Sequence, residues 1–64
     1  MRKWYKNLDE IDRDCADQYE IFLGRKLKNE SEYMEIDSYV DEMILEYENE
    51  EEFFENYPKL KRYK

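Results

Sequence analysis

Asn29 to Tyr57 reads NESEYMEIDSYVDEMILEYENEEEFFENY, and its reading decides the fold. Tyr33, Ile36, Val40, Met43 and Tyr47 recur at steps of three and four, with Ile44 beside them. That spacing puts them on one face of an amphipathic helix. Acids line both flanks of the stripe: Glu30, Asp37, Asp41 and Glu48 on one side, Glu35, Glu42 and Glu46 on the other. Met34 and Leu45 share a face away from the stripe, so they either meet another helix or stand exposed. Asn29-Glu30-Ser31-Glu32 opens the segment as a capping box, an Asn N-cap with Glu at N3. Asn49-Glu50-Glu51-Glu52 repeats the signal ahead of Phe53, Phe54 and Tyr57, and Pro58 closes it, because the residue before proline disfavours helix. The last piece reads either as a separate short helix or as a kinked continuation. A rival reading makes 33–36 a strand, with the helix starting after Asp37 or Ser38.

Upstream, Leu8, Ile11, Cys15, Tyr19 and Phe22 form a second 3.6-period face. Asn7 with Glu10 reads as its capping box, and Gly24 suits the C′ position, where a left-handed residue ends a helix at little steric cost. Residues 19–23 also fit a short strand, but the longer period favours helix. Arg25-Lys26-Leu27-Lys28 is a basic connector whose Leu27 points inward. MRKWYK at the start reads as a frayed end pinned by Trp4, and residues 59–64 as a basic tail. The expected architecture is all-α: one domain over 1–64, with three helices at about 8–23, 30–48 and 50–57 and basic ends.

A chain of 64 residues buries only about 60% of its unfolded surface. Aliphatic residues are few, so seven Tyr, three Phe and one Trp must supply much of the core. Small chains also gain core by self-association, so a homodimer is a candidate state. No window approaches the ~20 apolar residues of a membrane span. Nothing at the start resembles a signal peptide, so the expected compartment is the cytoplasm of the cell in which the protein acts.

The charge falls in blocks. Of eighteen acids, twelve lie between Glu30 and Glu55, a segment with no Lys or Arg; both ends are basic, and the net charge is −7. An acidic body repels nucleic acid and anionic membrane and attracts basic surfaces. Enzyme chemistry lacks its usual parts. There is no His, and one Gly makes no phosphate-cradling loop. Cys15, with no His partner and acids nearby, reads as a buried structural thiol. Asp37, Asp41 and Glu42, or Glu48 to Glu52, lack the glycine turn and ligand spacing of a calcium loop, so neither metal nor cofactor is expected.

Drawn as one helix, Glu30 to Glu55 spans roughly 39 Å at ~1.5 Å per residue. Its twelve carboxylates then recur every ~3.3 Å, close to the ~3.4 Å between phosphates of a DNA strand. Tyr33, Tyr39, Tyr47, Phe53 and Phe54 are interleaved and offer stacking area. A groove lined with Arg and Lys for nucleic acid is complementary to such a ridge. Acids that merely confer solubility are the plainer explanation.

Glu46-Tyr47-Glu48-Asn49-Glu50-Glu51-Glu52-Phe53-Phe54-Glu55-Asn56 resembles the acidic helix segment of a phage type II-A anti-CRISPR family. The likeness covers these eleven residues and does not extend to the first forty-five. That family blocks the PAM-reading groove of a CRISPR nuclease by DNA mimicry, and contains a sheet that the present pattern lacks. The resemblance implies that Glu48, Glu50, Glu51, Glu52 and Glu55 face a basic groove. Glu30, Asp37, Asp41, Tyr47 and Phe54 complete the candidate partner-binding surface. The expected function is a non-enzymatic inhibitor that occupies a basic nucleic-acid-binding protein without contacting nucleic acid or membrane. The alternative is a small helical interaction module whose acids serve solubility.

Overall fold

The computed structural model describes residues 2–63, and these form helices and connectors with no strand. The elements are α1 (Lys3–Asn7), α2 (Glu10–Leu23), α3 (Glu30–Met34), α4 (Ile36–Tyr47), α5 (Glu50–Asn56) and a 3-10 helix (Pro58–Tyr63). The all-α class therefore stands, while the expected three helices become six. Residues 33–36 and 19–23 are helical or helix-terminal, not strand.

Each boundary has a local cause. Asp9, not Asn7, caps α2: its carboxylate accepts the Asp12 N–H at 2.8 Å. Leu8 is extended, which separates α2 from α1 and moves the start inward from residue 8. Gly24 ends α2 at φ 74°, with its N–H on the Glu20 carbonyl. The Asn29 and Asn49 caps form as read, accepting from Glu32 and Glu52 N–H at 2.9 and 3.1 Å. The expected 30–48 helix is interrupted at Glu35. The Ser38 hydroxyl donates to the Glu35 carbonyl, a side-chain competition that disturbs helices. It ends at Glu48, as expected, where the backbone takes φ 71°. So α5 is a separate helix, not a continuation of α4.

The core joins Cys15, Ala16 and Tyr19 of α2 with Leu27, Tyr33, Ile36, Val40, Met43, Phe53 and Leu60. Ile11 departs from the expected stripe and is 57% exposed. Ala16, outside that stripe, is fully buried. Phe53 is the hub. Its ring lies 5.9, 5.7, 5.2 and 5.1 Å from Phe22, Tyr47, Phe54 and Tyr57.

Residues 3–7 and 58–63 are helical, which replaces the reading of a frayed start and a basic tail, while Trp4 pins the start as expected. Trp4 of α1 stacks on Tyr33 at 6.1 Å, although its indole N–H is buried without an acceptor among the described residues. The 3-10 helix drops Leu60 into the core and ties itself to α2. The Cys15 thiol donates to the Lys59 carbonyl at 3.3 Å, and the Lys59 N–H donates to the Gln18 amide oxygen at 3.0 Å.

Leu60→Ala should therefore cost about 2–5 kcal/mol, the range for truncating a buried leucine. Leu45→Ala, at a residue 77% exposed, should leave stability within about 0.5 kcal/mol. Urea melts of the two variants beside the parent chain read both values. Equal melts would return residues 58–63 to the status of a loose tail.

Candidate protein-binding surface

The chain's cations are spent unevenly. Arg2 pairs with Glu20, Arg25 with Glu32, Lys59 with Asp14 and Arg62 with Asp12. All four acids belong to α2 or α3. Among the described residues, Asp37, Asp41, Glu42 and Glu46 of α4 make no ion pair. Neither do Glu48 at the junction or Glu51, Glu52 and Glu55 of α5. All eight are exposed.

The structure does not lay these acids along one rod. A continuous helix over residues 30–55 would exceed the molecule's longest extent, 34 Å. Instead α4 and α5 pack together as two short segments, so the regular strand-like charge spacing is lost. Glu30 and Asp37 border a cleft of about 440 Å³ with Leu8, Tyr33, Met34, Arg62 and Tyr63. Glu50, Glu51, Phe54 and Glu55 border another, of about 470 Å³, with Pro58 and Lys61. Asp41, Glu48 and Glu52 stand outside both. On the turn geometry of α4, Leu45 projects outward between Asp41 and Glu42, giving that face an exposed apolar centre flanked by acid.

The aromatics divide as well. Phe54 is half-buried and borders the second cleft. Tyr47, also half-buried, sets its ring edge-on to Phe53 and Tyr57 and so serves packing. Tyr33 and Phe53 are fully inside, which removes them from the expected stacking surface.

Two electrostatic features are local to the fold. Arg25 grips Glu32 with two nitrogens, at 3.1 and 2.7 Å, and the Lys28 N–H donates to the same carboxylate at 2.7 Å. These donors, the Arg25 guanidinium foremost, hold the Glu32 carboxyl at about 2 against an ordinary 4.5. Burial pushes the Cys15 thiol up, which opposes thiolate formation, as expected of a structural cysteine. Among the described residues no group of three or more potential ligands is placed to hold a metal ion, and no helix is long and apolar enough to cross a membrane.

The structure also assembles a feature that sequence reasoning missed. Arg2, Lys6, Arg13 and Lys26 border one cleft with Tyr5, although they are scattered over 25 positions of the chain. No local spacing marks them.

No family model, curated protein or solved structure matches the chain.

Glu48 holds a left-handed backbone that glycine adopts without strain. Glu48→Gly should raise stability by about 0.5–1 kcal/mol, read as a higher urea midpoint. The depressed Glu32 carboxyl sets an acid limit. Its contribution is complete above pH 4.5, where the unfolded carboxyl is ionised, and is lost as pH falls towards 2. Glu32→Gln should therefore be less stable than the parent at pH 7, with the difference shrinking through that window in acid melts.

Proposed function

We propose that the protein is a non-enzymatic inhibitor that covers a basic, nucleic-acid-binding surface of another protein with the acids of α4 and α5. One observation carries this reading. Among the described residues, the four internal ion pairs all go to acids of α2 and α3, where Glu10, Asp17 and Glu30 alone have none, while the exposed acids of α4, the junction and α5 named above have no internal ion-pair partner. Exposed carboxylates without internal partners are free to meet cations supplied from outside, which favours association through a basic groove. Glu48 supports the same reading. A carboxylate stands where glycine would relieve the backbone, so its side chain serves something other than the turn.

The mechanism is competition. Carboxylates occupy the Arg and Lys that otherwise grip phosphates, with Phe54 and Leu45 adding apolar contact. Type II-A CRISPR nucleases come first among targets because of the resemblance over residues 46–56. Restriction enzymes, glycosylases and polymerases present similar grooves. The broken ridge makes the match one of charge over a patch, not of phosphate spacing along a strand.

The test is displacement of labelled duplex DNA from a guide-loaded type II-A CRISPR nuclease, followed by fluorescence anisotropy, with the other enzyme classes as further targets. Displacement should weaken steeply between about 50 and 200 mM salt. Combining Asp41→Asn, Glu51→Gln and Glu55→Gln should reduce it about tenfold or more, with the helical circular dichroism unchanged. Neutral replacements suit this test, because lysines in the first turn of α5 would oppose its dipole and disturb the fold. Failure to displace DNA from any of these enzymes would end the competition reading.

A second reading rests on exposed apolar side chains. Ile21, Met34 and Leu45 are 69, 64 and 77% exposed. A helical interaction module, homodimeric or otherwise, would bury such residues and show little salt dependence.

A further inference from the structure

We infer that the cleft between α1, the start of α2 and the connector after Gly24 is a binding site for a small polyphosphate, such as pyrophosphate or the phosphate chain of a nucleoside triphosphate. The cleft measures about 530 Å³ and is bordered by Arg2, Tyr5, Lys6, Arg13 and Lys26, with no acid among them. Four cations meeting in one cleft run against the composition of a chain with net charge −7.

Internal pairing does not account for them. Among the described residues Lys6, Arg13 and Lys26 make no ion pair. Asp17 and Glu20 lie in the adjoining cleft, but both are already engaged. The Tyr5 hydroxyl donates to Asp17 at 2.6 Å, and Glu20 accepts from Arg2 and from the Leu27 N–H. Arg2 is also held in place. Its guanidinium sits 4.6 Å from the Tyr5 ring centre and 5.3 Å from that of Trp4, and donates to the Leu27 carbonyl. The cleft thus has one fixed guanidinium and three cations whose mutual repulsion an anion would relieve.

The donors select the ligand. Arginine forks match phosphoryl oxygens two at a time, and lysines add compact charge. Arg2 is already balanced by Glu20, so Lys6, Arg13 and Lys26 leave three positive charges, which a polyphosphate carrying three or four negative charges matches better than a single phosphate does. The phosphates of a nucleic acid offer the same chemistry, but a long polyanion would also meet the acidic body of this protein. The structure therefore favours a free ligand. This site lies apart from the α4–α5 acids and does not depend on the proposed inhibition.

Isothermal titration with pyrophosphate, ATP and a short single-stranded oligonucleotide tests the inference on the full chain. Chemical shifts of the Arg13 and Lys26 amides serve as a local readout. Pyrophosphate and ATP should bind and shift these amides, while the oligonucleotide binds at least tenfold more weakly, a ratio of about 1.4 kcal/mol. The double variant Arg13→Ala, Lys26→Ala should lose about tenfold in affinity for both anions at unchanged melting temperature. The Asp41→Asn, Glu51→Gln, Glu55→Gln variant should bind them at least as well as the parent. No binding of either free anion at millimolar concentration overturns the site. So does binding that ignores the double variant, and so does an oligonucleotide that binds as tightly as ATP.

Discussion

The ring of Phe53 holds this molecule together. A chain of 64 residues with few aliphatic side chains cannot build a conventional leucine core, and aromatics take over. Phe53 is fully buried and reaches Phe22 of α2, Tyr47 of α4, Phe54 on its own helix and Tyr57 before the proline. Most of these contacts are edge-to-face, the arrangement in which a ring's positive edge meets its neighbour's negative face. One side chain thereby joins three helices. It also fixes the rotation of α5: with Phe53 inward, Glu50, Glu51, Glu52 and Glu55 must face solvent. The acidic surface is thus a consequence of where one ring is anchored.

The second constraint is the return of the C-terminal segment onto α2. Leu60 supplies apolar burial, and the polar bonds decide the charge pattern. Lys59 and Arg62 meet Asp14 and Asp12, and Tyr33 shares its hydroxyl between Tyr63 at 2.8 Å and Asp12 at 3.3 Å. These exposed pairs add little stability individually. Their larger effect is on distribution. By drawing Lys59 and Arg62 to α2, the fold keeps them from Asp37, Asp41, Glu42 and Glu46 of α4 and from Glu51, Glu52 and Glu55 of α5, which make no ion pair among the described residues.

Much of this was legible in the sequence, and the rest failed for identifiable reasons. The Tyr33–Ile36–Val40–Met43 stripe, the Asn29 and Asn49 caps, Gly24 and the inward Leu27 are local signals, and each appears as read. The α2 start was misplaced because Asn7 and Asp9 are both competent caps, and Asn7 is taken into α1. The helix end at Glu48 was readable from the Asn49 cap that follows it, but the left-handed glutamate was not, since that conformation contradicts local preference. The 3-10 helix was missed because basic side chains dominate residues 59–64, while Leu60 is the one that decides their placement. Of the candidate surface, exposure of the carboxylates was readable, but their arrangement was not. A break at Glu35 and another at Glu48 turn one long rod into a folded patch.

The same allocation of cations produces both candidate surfaces, and α2 divides them. Asp14 and Gln18 lie on the side of α2 that receives Lys59 of the 3-10 helix. Asp17 and Glu20 lie on the side that receives Tyr5 and Arg2. Residues three and four apart share a face, so each pair marks one flank, and the two flanks adjoin along α2, about 110° apart at 3.6 residues per turn. On the first flank every contact described draws a cation into the fold. On the second, Tyr5 and the Leu27 N–H satisfy acids that cations would otherwise be needed to neutralise. Lys6, Arg13 and Lys26 are therefore left without ion pairs beside α1, as Asp37, Asp41, Glu42 and Glu46 are on α4 and Glu51, Glu52 and Glu55 on α5, among the described residues. Neutral donors share the carboxylates on one side of α2 with Arg2, and Lys59 and Arg62 meet the carboxylates on the other.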